Sequence, residues 1–158
     1  MKKIIVLLIF LLTIGCSNLN DNDLKIFLEK ENFSPTLIMK YDDGYQLIRE
    51  DDKDITMYFL MDKSFWGQYT YTYNSYPINK RGVYLGFYKD ASFTMHVSNK
   101  EFEREAVIYK LIFDDGSEAE YKFEKGKKTY RIFDDRIKEM EYNIYFFDKN
   151  GKQIFRFF

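Results

Sequence analysis

One cysteine, one histidine, one tryptophan and two prolines in 158 residues leave little room for several kinds of protein. A single thiol makes no internal disulfide, and a single imidazole, His96, gives no histidine cluster to hold a metal. Two prolines and eight glycines exclude polyproline and low-complexity linkers. Lys and Arg number 24 against 25 Asp and Glu, so the basic footprint of a nucleic-acid partner is missing. No apolar run reaches the roughly 20 residues of a spanning helix. There is no glycine-rich phosphate loop and no G-x-S-x-G elbow, and the residues point to neither an enzyme nor a cofactor.

Aromatic residues are in excess, with 16 Phe and 14 Tyr. That much apolar surface offsets chain entropy and argues for a folded core.

The opening MKKIIVLLIFLLTIGCS has the parts of an export signal: Lys2 and Lys3, nine apolar residues from Ile4 to Leu12, and small Gly15 directly before Cys16. Leu12-Thr13-Ile14-Gly15-Cys16 resembles the lipobox of bacterial lipoproteins, with Thr13 departing from the leucine usual at that place. The resemblance implies cleavage before Cys16 and acylation of its sulfur with diacylglyceryl and palmitate-type chains. The alternative is a plain secretory signal with an incidental cysteine, but a lone exposed thiol in an oxidising compartment is a liability that lipidation removes. Two or more acyl chains turn marginal adsorption into stable anchoring.

On this reading residues 1–15 are a lipoprotein signal peptide and 16–22 a lipidated cysteine with a polar tether. Residues 23–158 form a single, mostly β globular domain. Removing fifteen residues of 158 leaves 143, enough for one core. Losing Lys2 and Lys3 takes the 24 basic residues to 22 against 25 acidic ones, a charge of −3, so attachment should come from the acyl chains and not from charge. Ser17 to Asn22 spans about 20 Å at most. Because Ser17, not aspartate, follows the cysteine, the resemblance implies the outer membrane in a cell with two membranes. In a cell with one, it implies the outer face of the cytoplasmic membrane.

Asp23 can cap a helix whose Leu24, Phe27 and Leu28 share a face, and Pro35 stops it. Beyond Thr36 the pattern is antiparallel hairpins, predicting a β-meander that forms a sandwich or small barrel behind this short N-terminal helix. A three-residue loop at Asp42-Asp43-Gly44 pairs Tyr41 with Tyr45, Met39 with Leu47 and Ile38 with Ile48. The same device at Asp114-Asp115-Gly116 pairs Val107 with Phe123, Tyr109 with Tyr121, Leu111 with Ala119 and Lys110 with Glu120. Asn150-Gly151 predicts a type I′ turn that sets Phe146 against Phe155, Ile144 against Phe157, and Tyr145 against Arg156 in a cation–π contact. Further strands are expected over 55–61, 65–73, 81–88 and 92–97. Terminal Phe157-Phe158 is also a habit of outer-membrane barrels, yet these strands are shorter than the 9–11 residues such barrels use.

The candidate binding residues are Phe65, Trp66, Tyr69, Tyr71, Tyr73 and Tyr76. As a strand, 65–73 places Phe65, Tyr69, Tyr71 and Tyr73 on one face, either as core or as an exposed amphipathic platform for a protein or glycan, flanked by Trp66 and Tyr76. His96, opposite in parity to its apolar neighbours, is expected to be an exposed strand residue. The clusters Asp42-Asp43, Asp51-Asp52-Asp54, Asp114-Asp115 and Asp134-Asp135 could supply calcium ligands, but none has the ligand spacing of a calcium loop, and turn chemistry already accounts for Asp42-Asp43 and Asp114-Asp115. Dispersed carboxylates could also form an acid/base pair that sequence does not reveal. Lys125, Lys127, Lys128 and Arg131 around Gly126 read as a solvated turn, with an anion site as the alternative. The expected role is a membrane-anchored envelope lipoprotein acting as a non-enzymatic binding or structural and assembly module. Its partners would be the membrane, through Cys16, and an envelope protein or glycan. The alternative is an inhibitor or immunity lipoprotein that meets a toxin, phage component or hydrolase.

Overall fold

The computed structural model describes residues 16, 17, 19–89 and 91–157, without the side chains of 16, 17 and 87–89. The signal peptide expected over 1–15, with most of the lipobox, lies outside the described residues. The chain is mostly β and antiparallel. It groups into two compact units that divide between Tyr76 and Pro77, a boundary no composition shift marks in the sequence.

The first unit holds β1 (Cys16–Ser17), α1 (Asp21–Lys30), β2 (Leu37–Tyr41), β3 (Gly44–Glu50), β4 (Asp54–Ser64) and β5 (Tyr69–Pro77). The strands from β2 to β5 form a meander, as expected, and β1 adds to β4. Strand β4 is the spine: residues 55–60 pair with β3, and residues 63 and 64 pair with Ser17 and Cys16. One sheet face carries Tyr45, Leu47 and Leu60, which pack with Leu24, Phe27 and Phe33. Gln46, Ile48, Met57 and Phe59, of the other parity, are also buried.

The helix begins earlier than Asp23. Asn20 is the N-cap, its Oδ1 accepting from the backbone N–H of Asn22 at 2.9 Å and of Asp23 at 3.1 Å. Asp23, at the third helical position, accepts the N–H of Asn20 at 3.2 Å and so completes a capping box. The expected tether therefore ends inside the first turn. Leu24 and Phe27 are buried as the periodicity predicts, and the helix stops at Lys30, just before Asn32 turns to φ 48°.

The β2–β3 hairpin differs from expectation by one residue. Tyr41 faces Gly44 across a two-residue turn, Asp42-Asp43, so Ile38 meets Leu47 and Lys40 meets Tyr45. The cause is steric. Gly44 sits in the strand at φ +145°, where a Cβ would lie 2.1 Å from the carbonyl oxygen of Leu60, so this glycine is needed for close approach to β4.

The second unit contains β6 (Val83–Lys89), β7 (Ser92–Val97), α2 (Lys100–Glu105), β8 (Ile108–Phe113), β9 (Glu118–Lys122), β10 (Thr129–Phe133), a 3-10 turn (Asp135–Lys138), β11 (Tyr142–Phe147) and β12 (Gln153–Phe157). It is a sandwich of a three-stranded sheet, β10-β7-β6, on a four-stranded one, β12-β11-β8-β9. Val83, Leu85, Phe93, Met95 and Ile132 from the first sheet share a core with Tyr109, Leu111, Ile144 and Phe146 from the second. None of the sheets closes on itself, so the small-barrel form is set aside.

Two predicted registers are found. Tyr109 pairs with Tyr121, Lys110 with Glu120 and Leu111 with Ala119, around a three-residue loop with Gly116 at φ +81°. Ile144 pairs with Phe157, Tyr145 with Arg156 and Phe146 with Phe155, and the Arg156 guanidinium lies 5.5 Å from the Tyr145 ring. The last turn is not type I′. Asn150 keeps a negative φ, and Asp148 bonds to Lys152 across a three-residue loop. A bulge between Phe146 and Phe147 restores the predicted pairing.

His96 is buried, against expectation. Strand β7 lies between β6 and β10, and all six of its residues are buried. Alternation there separates apolar from polar side chains without separating inside from outside. His96 Nδ1 sits 2.8 Å from the hydroxyl of Thr129 on β10, a strand the sequence did not reveal.

Candidate functional site

The six aromatic candidates fall into three places in the first unit. Tyr69, Tyr71 and Tyr73 alternate along β5 and share a face with Tyr58 of β4. Residues 65–68 are not strand: they form the turn between β4 and β5, so Phe65 and Trp66 leave the tyrosine face and project from the hairpin tip. Tyr76 has the other parity and is half-buried, and burial pushes its hydroxyl pKa up.

The tyrosine row is built on Phe27. This buried ring of α1 meets Tyr58 at 5.6 Å, Tyr69 at 5.5 Å and Tyr71 at 5.2 Å, each edge to face. Tyr58 then contacts Tyr71 at 5.5 Å, Tyr73 at 4.9 Å and Phe33 at 4.8 Å. Exposure rises along the row, from half-buried Tyr69 to Tyr71 at 39% and Tyr73 at 53%. The row is thus core at the Tyr69 end and surface at the Tyr73 end. Burial raises the pKa of Tyr58 and Tyr69, so both remain neutral phenols near pH 7. Phe33 also lines an open cleft of about 460 Å3 with Leu28, Asn32, Pro35 and Ile38. Such a surface offers ring faces for stacking and hydroxyls for hydrogen bonds, and Glu29 and Ser34 also line the cleft.

The tip is closed by its own backbone. Ser64 N–H donates to the carbonyl of Gln68 at 2.8 Å, Gly67 N–H donates to the carbonyl of Ser64 at 2.9 Å, and the Ser64 hydroxyl accepts from Gln68 N–H at 3.1 Å. Gly67 supplies the left-handed residue at φ +77°. Phe65 and Trp66 stand out at 74% and 85% exposure, their rings edge to face at 5.4 Å. The Ser64 to Gly67 spacing was the signal for this turn, hidden within an aromatic run that alternation alone reads as strand.

Several of the other charged candidates have structural partners. Asp51 accepts the N–H groups of Lys53 and Asp54, and Arg49 bridges Asp51 at 3.4 Å and Asp54 at 3.2 Å. Asp115 caps its turn through the N–H of Ser117 at 2.8 Å. Asp134 caps the 3-10 turn and pairs with Arg136 at 2.6 Å, which holds its carboxyl below the usual range. In the basic run, Lys127 pairs with Glu124 at 2.8 Å and Lys128 approaches Glu103 at 3.9 Å. The Arg131 guanidinium stacks 4.5 Å from the Phe133 ring, and Lys125 is exposed. Among the described residues no three His, Cys, Asp or Glu side chains gather as metal ligands, and no helix is long and apolar enough to cross a membrane.

Comparison with protein-family models, with curated proteins and with solved structures gives no match for this chain.

Proposed function

We propose that this chain is an envelope lipoprotein, held on a membrane by acyl groups on Cys16, that works by binding an envelope protein or glycan through the open end of its tyrosine row. The observation that carries the binding role is the gradient of exposure along β5. Tyr69 is half-buried against Phe27 of α1, whereas Tyr71 and Tyr73, braced by Phe27 and Tyr58, are 39% and 53% exposed on the same ladder. Large aromatic side chains fixed in this way bind at low entropic cost, because their rotamers are already set by Phe27 and Tyr58. Location rests on the basic, apolar and small residues that close on a single cysteine.

The test is photo-crosslinking in intact cells from a benzophenone amino acid at position 73. The expected result is one discrete adduct, lost when Tyr71→Ser is added and retained with Tyr121→Ser, a control in the other unit. A diffuse background that Tyr71→Ser leaves unchanged overturns the assignment of this face.

A further inference from the structure

We infer that Phe65 and Trp66 form a second membrane contact, inserting into the interfacial layer of the bilayer beside the acylated cysteine. The inference rests on the lipoprotein reading above and adds a membrane-facing end to the molecule.

The geometry brings cysteine and tip together. Ser64 directly precedes Phe65, and its Cα partner is Cys16, while Lys63 is partnered by Ser17. A second contact at this end of β4 holds the helix: Lys63 Nζ donates to Asp23 Oδ1 at 2.6 Å, fixing the first turn of α1 to the end of β4. Leu19, just before the helix, packs on the same core. Acyl chains on Cys16 would therefore enter the bilayer next to Phe65 and Trp66.

The arm has the form that insertion requires. Beyond Leu60, the last β4 residue paired with β3, four more residues carry the hairpin outward by about 13 Å. The Asp42-Asp43 turn lies at this end of the sheet but stops short, since Tyr45 is already opposite Leu60. At the tip the N–H groups of Ser64, Gly67 and Gln68 are satisfied within the turn, which lowers the desolvation cost of entry. Tryptophan and phenylalanine are large apolar rings, and tryptophan concentrates at the headgroup level of membranes. Placing two exposed rings there, rather than in water, stabilises the bound state through burial of their apolar surface. This is a supplement to acyl chains and not a substitute.

Charge selects the lipid. Asp42, Asp43 and Asp62 share this end of the sheet, and Lys63 is engaged by Asp23. The contact is therefore with neutral headgroups, and anionic lipid should not strengthen it.

Trp66 is the chain's one tryptophan, so its fluorescence reports on the tip alone. The whole protein, purified from membranes with acylation verified by intact mass, is transferred to phosphatidylcholine vesicles carrying bromine atoms at shallow or deep acyl positions. The expected result is a blue-shifted Trp66 emission, quenched at least twofold more by shallow than by deep bromines. Phe65→Ser should reduce that quenching by half or more, and Tyr121→Ser, in the other unit, should leave it unchanged. An acylated protein that floats with the vesicles while Trp66 keeps a water-like, unquenched emission overturns the tip contact and leaves the anchor standing. A protein that carries no acyl mass overturns the anchor reading, and this inference with it.

Discussion

Asp23 and Lys63 meet at 2.6 Å, joining the first turn of α1 to the outer end of β4. Asp23 therefore serves twice, closing the capping box with Asn20 and pinning the helix to the hairpin arm. The Lys63 hydrogen bond holds its carboxyl pKa below the usual 3.8, against the opposing effect of burial. A folded pKa lower than the unfolded one contributes stability above the unfolded value, and that stability is lost as pH falls through the folded value. For Lys63 the hydrogen bond to Asp23 raises the pKa, and its contribution is lost only as pH rises past the raised value. Thermal unfolding of the wild type and Asp23→Asn from pH 2 to 7 should show their difference in Tm shrinking below about pH 4. The other lowered carboxylates, such as Asp115 and Asp134, are common to both proteins and cancel. A difference that stays constant down to pH 2 would remove the ion pair from the account.

Phe27 is the hub on which the tyrosine row rests. Phe27→Ala removes a fully buried ring and three edge-to-face partners, and should cost about 3–5 kcal/mol. Chemical denaturation gives that number. Near-UV circular dichroism should lose tyrosine intensity at the same time. A cost under about 1 kcal/mol would mean that the tyrosines hold their positions without the helix.

Two glycines with positive φ should respond differently to alanine. Gly44→Ala forces a Cβ to 2.1 Å from the Leu60 carbonyl, so β3 or β4 must shift, at about 3 kcal/mol or more. Gly67→Ala meets nothing within 4 Å and pays only for the left-handed conformation, about 1–2 kcal/mol. Equal losses of Tm for the two would contradict the turn and strand positions assigned to them.

The sequence made the second unit's hairpins legible because a hydrophobic register and a turn residue agreed there. In 107–123 only one loop length puts Tyr109 against Tyr121 and Leu111 against Ala119, and that pairing is found. In 37–49 the observed two-residue turn also sets apolar residues opposite one another, Leu37 with Ile48 and Ile38 with Leu47, so hydrophobic register alone does not select the loop, and Gly44 serves close approach in place of the turn. The contact with Leu60 that decides between them is non-local. His96 misled for a related reason: strict alternation in β7 reads as half-exposed, whereas a central strand is buried on both parities. Within the candidate site, the tyrosine spacing was readable as one face, but the division into tip and row was not. It depends on the Ser64 to Gly67 turn and on Phe27, 42 residues before Tyr69.

Acylation of the single cysteine is the claim on which location, orientation of the tip and mode of action depend. Cells expressing the whole chain, or its Cys16→Ser variant, are fed an alkyne-bearing palmitate, and the immunoprecipitated protein is clicked to a fluorophore and its intact mass taken. Label on the native chain, none on the variant, and a native mass equal to residues 16–158 plus acyl groups are the expected results. A native chain without label, whose mass fits an unmodified thiol, would contradict the account.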